Sequence, residues 1–217
     1  MTGRFIKAII FDMDGVLVNT EPHHLILEKK LFEQLGLHIN NDEHGNYLGL
    51  STRQMWIEIT RNHDLPYTTE YLTEKNRREI IKYFSLPDEI ELMPGARDLL
   101  EKLNEKGIPV ALASASEAAV VDLILSKTGL KKYFRFIVSL EAVGKSKPEP
   151  DIYLHTAGLL SVAPEECLVI EDSPNGIKAA KSANMICIAY SQDRSVADES
   201  TNDFSKIPEI LRKYIEF

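Results

Sequence analysis

The sequence predicts an α/β fold: a parallel sheet that is interrupted, after its first strand, by an all-helical insert. Short apolar segments alternate with helix-like segments of about 10–15 residues, which is the pattern of βαβ units. The segment 22–84 departs from this pattern, because its apolar residues recur at helical spacing and nothing in it is convincing as a strand. We therefore expect a core domain over 1–19 and 88–217 and a helical domain over 20–87.

The individual elements follow from apolar runs and from the glycines and prolines between them. Five short, apolar strands are predicted, at 7–11, 110–113, 136–139, 168–170 and 186–189. Helices of the core are predicted at 96–106, 117–128, 150–158, 174–183 and 207–214. Helices of the insert are predicted at 22–35, from near 51, and over 68–84, where Tyr71 would belong to the buried stripe.

Composition and charge limit the classes of function. The 217 residues carry a net charge of −8 without a basic block, which argues against nucleic acid as a partner. There is no N-terminal export signal and no apolar run that could span a bilayer, so we expect neither export nor a membrane partner. Cys167 and Cys187 lie in apolar segments without metal or redox spacing, which favours two buried thiols in a reducing cytoplasm.

Polar side chains gather after four of the predicted strands, at the edge where parallel sheets bind ligands. They are carboxylates, hydroxyls and an ammonium group, and in chain order they are Asp12, Asp14, Ser114, Lys147, Glu171 and Asp172. Each one alone is a weak signal, since Asp-Gly is also typical of turns and Glu-Asp before Ser-Pro of helix caps. Together they indicate one site.

Phosphoryl transfer is the chemistry that this set of residues supports best. Asp12 would attack phosphorus in line and become an aspartyl phosphate. Asp14 would protonate the leaving oxygen and then deprotonate the attacking water. Ser114, with nearby backbone N–H groups, would hold the phosphoryl oxygens.

Attack by a carboxylate on a phosphate needs positive charge close by, because like charges repel each other. We expect Mg²⁺ to supply most of that charge. Its oxygen ligands would be Asp12, the backbone carbonyl of Asp14, and Asp172, with Glu171 supporting the metal through water. Lys147 would add a fixed ammonium.

These residues resemble the four motifs of the haloacid dehalogenase-like (HAD) hydrolase superfamily. The matching segments are Asp12-x-Asp14-Gly-Val-Leu-Val, Ser114, Lys147-Pro and Glu171-Asp172-Ser. The insert is similar to the helical cap of the subfamily that holds β-phosphoglucomutase and many sugar-phosphate phosphatases. The resemblance covers essentially the whole chain and implies a monomer with a Rossmann-like core, helices on both faces of the sheet, Mg²⁺ dependence and a cap that closes over the substrate. Asn19 stands where these proteins commonly have Asp.

The same resemblance suggests residues that contact the substrate. Arg53 lies in a segment similar to one that supplies a phosphate-binding Arg in mutases, but it stands one residue later, a rotation of about 100° on a helix. Lys75-Asn76 also resembles a pair in the mutase cap. The substrate-binding candidates are His24, Gly49, Arg53, Lys75, Ala115 and Ser116.

The favoured interpretation is a phosphoric monoester hydrolase: a Mg²⁺-dependent phosphatase acting on a small phosphorylated metabolite, a sugar phosphate. Glu117-Ala118 favours hydrolysis, because the mutases carry Lys-Asn there to hold a second phosphate and Glu117 would repel it. The alternative is a β-phosphoglucomutase-like isomerase, which would return the phosphoryl group to the sugar. A second alternative is a non-catalytic phosphometabolite-binding protein, which the complete set of expected catalytic side chains disfavours.

Overall fold

The computed structural model describes residues 5–47, 50–86, 90–190 and 196–215. Contacts within the chain divide it into two compact units, one formed by 1–19 and 89–217 and the other by 20–88. In the described residues the smaller unit contains helices but no strand, and the larger unit contains a six-stranded sheet. No helix within these ranges is both long and apolar enough to cross a membrane.

The described residues of the smaller unit form four helices. Their bounds are Glu21–Gln34 (α1), Asn41–Gly45 (α2), Thr52–Asn62 (α3) and Thr69–Phe84 (α4). The last three each begin after a residue whose side-chain oxygen accepts a backbone N–H three residues on, and these cap residues are Asn40, Ser51 and Thr68. The polar side chains before each apolar stripe therefore determine where the helices start.

The interior of this unit is aromatic and aliphatic. Trp56 is completely buried and meets Phe32 edge to face, with 5.7 Å between the ring centroids. Tyr71, which the apolar spacing placed in the buried stripe of α4, is instead 50% exposed and stacks on Tyr67. The helical period alone did not place Tyr71, because it lies at the edge of the stripe, where an amphipathic ring can face water.

The sheet of the larger unit is parallel throughout, in the order β3-β2-β1-β4-β5-β6. The strands are Ala8–Phe11 (β1), Val110–Ala113 (β2), Phe136–Val138 (β3), Cys167–Glu171 (β4), Ile186–Ala189 (β5) and Glu199–Ser200 (β6). Central β1 pairs with β2 on one side and β4 on the other, so that Ile10 lies opposite both Ala111 and Val169. The strand order reverses at β1, where parallel sheets open a ligand crevice at their carboxyl ends.

Helices cover both faces of this sheet. They are Ala96–Glu105 (α5), Ala118–Thr128 (α6), Asp151–Leu160 (α7), Pro174–Ser182 (α8) and Ile207–Leu211 (α9). On one face, Ile10 and Val169 pack in a cluster with Tyr153 of α7 and Ile177 of α8. Ile9, which points to the other face, is also completely buried, so that face is covered as well. The predicted α/β fold with a parallel sheet is confirmed.

Candidate active site

The loop that follows β1 is a tight turn held by its own backbone. The Gly15 N–H donates to the Val18 carbonyl at 2.9 Å, and Gly15 has a φ of +74°, a conformation that favours glycine. Met13 is completely buried beside this turn, whereas Asp14 is half-buried. The turn therefore holds Asp12 at the end of the strand and leaves Asp14 accessible.

Two glycines make room for the two carboxylates at the end of β4. A Cβ added to Gly15 would lie 2.1 Å from Oδ2 of Asp172, and a Cβ added to Gly176 would lie 1.6 Å from Oε1 of Glu171. Both distances are far shorter than van der Waals contact. Asp172 thus lies directly against the turn that follows Asp12, and Glu171 lies against the first turn of α8.

Lys147 joins two of the predicted site carboxylates. Its Nζ donates to Oδ1 of Asp12 at 2.5 Å, to Oε1 of Glu171 at 2.6 Å and, more weakly, to the Ala113 carbonyl at 3.3 Å. Lys147 and Asp12 are each 6% exposed and Glu171 is 1% exposed. Asp12 and Glu171, which lie 135 and 24 positions from Lys147 in the sequence, thus form one buried ionic cluster with it.

One ammonium in this cluster faces several carboxylates. Burial raises the pKa of Asp12, Lys147 lowers it, and Glu171 and Asp14 raise it again, so that it reaches about 8. Burial alone would lower the pKa of Lys147, but Asp12 and Glu171 outweigh burial and hold that pKa well above its ordinary value. Burial and the two neighbouring carboxyl groups therefore disfavour the ionised form of Asp12, and a further cation beside it would stabilise that form.

Glu171 is held at both of its oxygens. Oε1 accepts from Lys147 and from the Tyr153 hydroxyl, the latter at 3.2 Å, and Oε2 accepts from the backbone N–H and the hydroxyl of Ser173 at 2.7 and 3.1 Å. With four donors from the chain itself, this carboxylate anchors Lys147. The expectation that Glu171 supports a metal through water stays a prediction.

The Ser-Ala-Ser segment lies against the turn after β1. Ser114 is completely buried, and its Oγ accepts the Ser116 N–H at 3.0 Å. The Ser116 hydroxyl donates to Oδ2 of Asp14 at 2.8 Å, and Ala115 between the two serines is half-buried. Ser116 is therefore hydrogen-bonded to Asp14, the expected acid/base. Contacts of Ser114 and Ala115 with a phosphoryl group stay predictions.

Contacts within the smaller unit are seen for two of its substrate-binding candidates, Arg53 and His24. Arg53 has a side chain that is 59% exposed, and its Nη2 lies 3.6 Å from Oε1 of Glu70. His24 is half-buried with its ring 5.7 Å from that of a phenylalanine on α4, and Lys75 is half-buried. Gly49 lies outside the described residues. The proposed roles of these residues stay predictions.

The residues around Asp12 have the chemistry of a magnesium site. Asp12 and Asp172 offer carboxylate oxygens, and Asp14 its backbone carbonyl, around the turn at Gly15, and a cation there would stabilise the ionised form of Asp12. Across the described ranges no three His, Cys, Asp or Glu side chains converge as a formed metal centre. Mg²⁺ commonly takes one or two protein carboxylates and completes its shell with substrate phosphate and water, so Asp12 and Asp172 are ligands of the kind that it takes.

Two residues of this cluster were not found from the sequence. Tyr153 occupies a buried position on α7, where spacing alone gives no reason to prefer a phenol over a phenyl ring. Gly176 lies inside the predicted helix that follows Ser173. A glycine within a helical pattern is a signal of close packing, and it could have directed attention to Glu171.

Comparison with known proteins finds a family and several relatives that are similar to this chain. The family model described as haloacid dehalogenase-like hydrolase matches residues 9–190. The β-phosphoglucomutase of Bacillus subtilis (strain 168) is 34% identical over 193 residues, 86% of this chain and 84% of that protein. Hexitol phosphatase B of Escherichia coli (strain K12) is 34% identical over 209 residues, 93% of this chain and 89% of that protein. The crystal structure of β-phosphoglucomutase from Clostridium difficile matches with a TM-score of 0.86 at 27% identity, covering 97% of each chain.

Proposed function

Since the chain belongs to the haloacid dehalogenase-like hydrolase family, we propose that it is a Mg²⁺-dependent phosphatase of a small phosphorylated metabolite, a sugar phosphate. The observation that carries this proposal is the buried Lys147 ammonium, which contacts both Asp12 and Glu171. A fixed cation beside a carboxylate stabilises the charge that develops when that carboxylate attacks a phosphate.

Asp12 and Asp14 divide the chemistry between them. An oxygen of Asp12 attacks phosphorus, the bond from phosphorus to the ester oxygen breaks, and Asp14 gives that oxygen its proton. Water then attacks the aspartyl phosphate, Asp14 takes a proton from it, and inorganic phosphate leaves as Asp12 regains its carboxylate. The 2.8 Å hydrogen bond from Ser116 supports this assignment, because it fixes the Asp14 carboxyl group.

The remaining side chains supply and hold positive charge. The raised pKa of Lys147 keeps its ammonium charged at neutral pH, next to the reacting carboxylate. Glu171 holds that ammonium in place. Asp12, the Asp14 backbone carbonyl and Asp172 would hold Mg²⁺, which would neutralise charge on the phosphoryl oxygens.

We assign substrate selection to the helical unit over 20–87, because this unit is similar to the helical cap of the family, which closes over the substrate. Its candidates are His24, Gly49, Arg53 and Lys75. Support comes from composition: the core provides the reacting groups, and the cationic and imidazole side chains of the helical unit are suited to phosphate and sugar oxygens.

The second candidate function is a β-phosphoglucomutase-like isomerase, since the Bacillus subtilis mutase and the Escherichia coli phosphatase are equally identical to this chain. The start of α6 favours the phosphatase. Both carboxylate oxygens of Glu141 accept a hydrogen bond from the backbone N–H of Ala118, at 3.0 Å each. Glu117 directly precedes Ala118 and adds a second carboxylate at the start of this helix. A helix N-terminus attracts anions, and a carboxylate of the chain already lies there, so a second phosphate would meet repulsion.

A screen of phosphorylated metabolites with Mg²⁺, reading both free phosphate and isomerised sugar, tests the proposal. We expect phosphate release that chelation with EDTA abolishes and added Mg²⁺ restores. A sugar 1-phosphate given with catalytic sugar bisphosphate separates the candidates: free phosphate as sole product excludes the mutase, and accumulation of the 6-phosphate contradicts the phosphatase. A non-catalytic binding protein would bind the metabolite in calorimetry and give neither product.

A further inference from the structure

Tyr153 is a buried phenol that contacts the charged cluster from α7. It is 0% exposed and lies among the apolar side chains that pack α7 on the sheet. Its hydroxyl donates to Oε1 of Glu171 at 3.2 Å, and its ring centroid lies 5.0 Å from Nζ of Lys147. A phenylalanine would fill nearly the same volume, so packing alone does not require the hydroxyl.

The hydroxyl restrains Glu171. A buried hydroxyl is costly unless it is hydrogen-bonded, and its acceptor here is the same oxygen that accepts from Lys147. Burial first, and then Glu171, raise the pKa of Tyr153 well above its ordinary value, which keeps the phenol a neutral donor. Because Ser173 occupies the other oxygen, rotation of the Glu171 carboxylate would break contacts on both sides.

The ring restrains Lys147. The ammonium directs its hydrogen bonds to Asp12, Glu171 and the Ala113 carbonyl, and the face of the Tyr153 ring lies within cation–π distance. Displacement of the ammonium away from Asp12 would therefore cost contacts with the ring as well as hydrogen bonds.

We propose that Tyr153 is a positioning residue of the reaction: its hydroxyl and its ring together hold the Lys147 ammonium against the nucleophilic carboxylate of Asp12. This inference rests on the proposed function, because that function is what assigns Asp12 and Lys147 to phosphoryl transfer. Tyr153 itself acts only through Glu171 and Lys147.

The experiment compares two variants with a matched control. Tyr153→Phe removes the hydroxyl and keeps the ring, whereas Tyr153→Leu removes both. Tyr133→Phe is the control, because Tyr133 is also nearly buried and donates to a glutamate, Oε1 of Glu101 at 2.6 Å, outside the ionic cluster. Thermal unfolding, kcat and KM for p-nitrophenyl phosphate with Mg²⁺, and the ¹H–¹⁵N signal of the Lys147 ammonium without substrate are measured for each chain.

We expect Tyr153→Phe to lower kcat by about threefold to tenfold, the effect of one ordinary hydrogen bond, at unchanged KM. Its melting temperature should fall no more than that of Tyr133→Phe. The Lys147 signal should shift in Tyr153→Phe, should shift further in Tyr153→Leu, where the ring current is also lost, and should stay in place in the control.

Equal kcat values and an unmoved Lys147 signal in Tyr153→Phe and Tyr133→Phe would overturn the inference and leave Tyr153 a packing residue. If Tyr153→Leu does not fold, the isosteric Tyr153→Phe decides alone. If the unaltered protein hydrolyses no phosphate ester, the proposed function fails, and the Lys147 signal still decides whether Tyr153 holds the ammonium.

Discussion

Lys147 is the residue on which the charge balance of the site depends. It is buried between Asp12 and Glu171, and its Nζ lies 2.5 Å from Oδ1 of Asp12 and 2.6 Å from Oε1 of Glu171. Removing one partner of a buried ionic cluster leaves charge without compensation, which is far more destabilising than loss of a surface pair. The same ammonium lies beside the proposed nucleophile, so stability and activity share one side chain.

Replacing Lys147 by Met should lower kcat by about 100-fold or more, the usual effect of losing a donor that stabilises transition-state charge. It should also widen the pH range over which stability falls. The pKa of Asp12 is already raised to about 8, so the folded protein binds a proton that the unfolded chain releases near pH 3.8, and stability falls as pH rises between these two values. The variant lacks the interaction that lowers this pKa, so its stability should continue to fall above pH 8.

Melting temperatures at pH 7 and pH 9, measured without metal, test this dependence. The deficit of Lys147→Met relative to the unaltered protein should be larger at pH 9, where Asp12 is ionised in the unaltered protein and still protonated in the variant. Lys131→Met is the control, because Lys131 pairs with Asp122 at the surface and both side chains are more than half exposed. A deficit that shrinks toward pH 9 would show that the carboxylates do not depend on Lys147 for their charge.

The sequence predicted which side chains belong to the candidate site, but it did not predict their hydrogen-bond partners. Asp12 and Lys147 could be predicted, because each follows a strand and strand ends meet at one edge of a parallel sheet. The contacts of Glu171 could not, since they depend on the direction of a side chain that four donors from three separate segments hold. The hydroxyl of Tyr153 was missed for the same reason.

Helix α8 shows how an element is shaped by the site. Ser173 caps it by accepting the Gly176 N–H at 3.0 Å, and Gly176 leaves space for the Glu171 carboxylate. The carboxylate is held on both oxygens, so it cannot move aside without weakening its contact with Lys147. A glycine in a helix normally costs stability, and here it permits the closest approach in the cluster.

Gly176→Ala should destabilise the protein by about 1–3 kcal/mol, the cost of overpacking a filled interior, and should lower kcat by displacing Glu171. Gly158→Ala is the matched control, because Gly158 is a helical glycine of α7 with no atom within 4 Å of an added Cβ. That variant should gain up to about 1 kcal/mol from helix propensity. Chemical denaturation of both variants tests the contrast, and equal changes in the free energy of unfolding would refute the crowding argument.

The apolar pattern predicted the boundaries of some strands correctly and missed others. Strands β2 and β5 were predicted at their observed bounds. Strand β4 extends to Glu171, one residue further than predicted, because the buried partners of Glu171 allow a charge inside the sheet. The predicted helix over 207–214 ends at Leu211, and the two-residue strand β6 is too short and polar for periodicity to reveal.

For the molecule as a whole, the motifs were sufficient to predict the family, and the pattern of elements was sufficient to predict the fold class. Alternating strands and helices with a helical insert predicted the parallel α/β sheet, and the family match over residues 9–190 agrees with the motifs. The substrate could not be predicted in the same way, because the proposed substrate-binding positions are single side chains whose contacts no periodic pattern reveals.

Arg53→Ala should raise KM for the substrate by about tenfold, the effect of one charged hydrogen bond, with little change in kcat. Arg61→Ala is the control on the same helix, since both side chains are more than half exposed and each pairs with a glutamate at the surface. Exposed pairs contribute little to stability, so neither variant should alter the melting temperature appreciably. Equal KM values for the two variants would remove Arg53 from the substrate-binding set.

On the proposed mechanism Asp12 forms a covalent bond to phosphorus. Trapping the aspartyl phosphate is the most direct test of that mechanism. Acid quenching of a reaction with a ³²P-labelled phosphate ester and Mg²⁺ should recover label on the chain in a form that hydroxylamine releases, as expected of an acyl phosphate. Asp14→Asn should accumulate this label when the ester carries a p-nitrophenolate leaving group, which departs without a proton, because only the step that activates water is then slowed. Asp122→Asn, a change at an exposed aspartate, should behave as the unaltered protein. Asp12→Asn should take up no label and hydrolyse no ester; label or near-normal hydrolysis in Asp12→Asn would contradict the account.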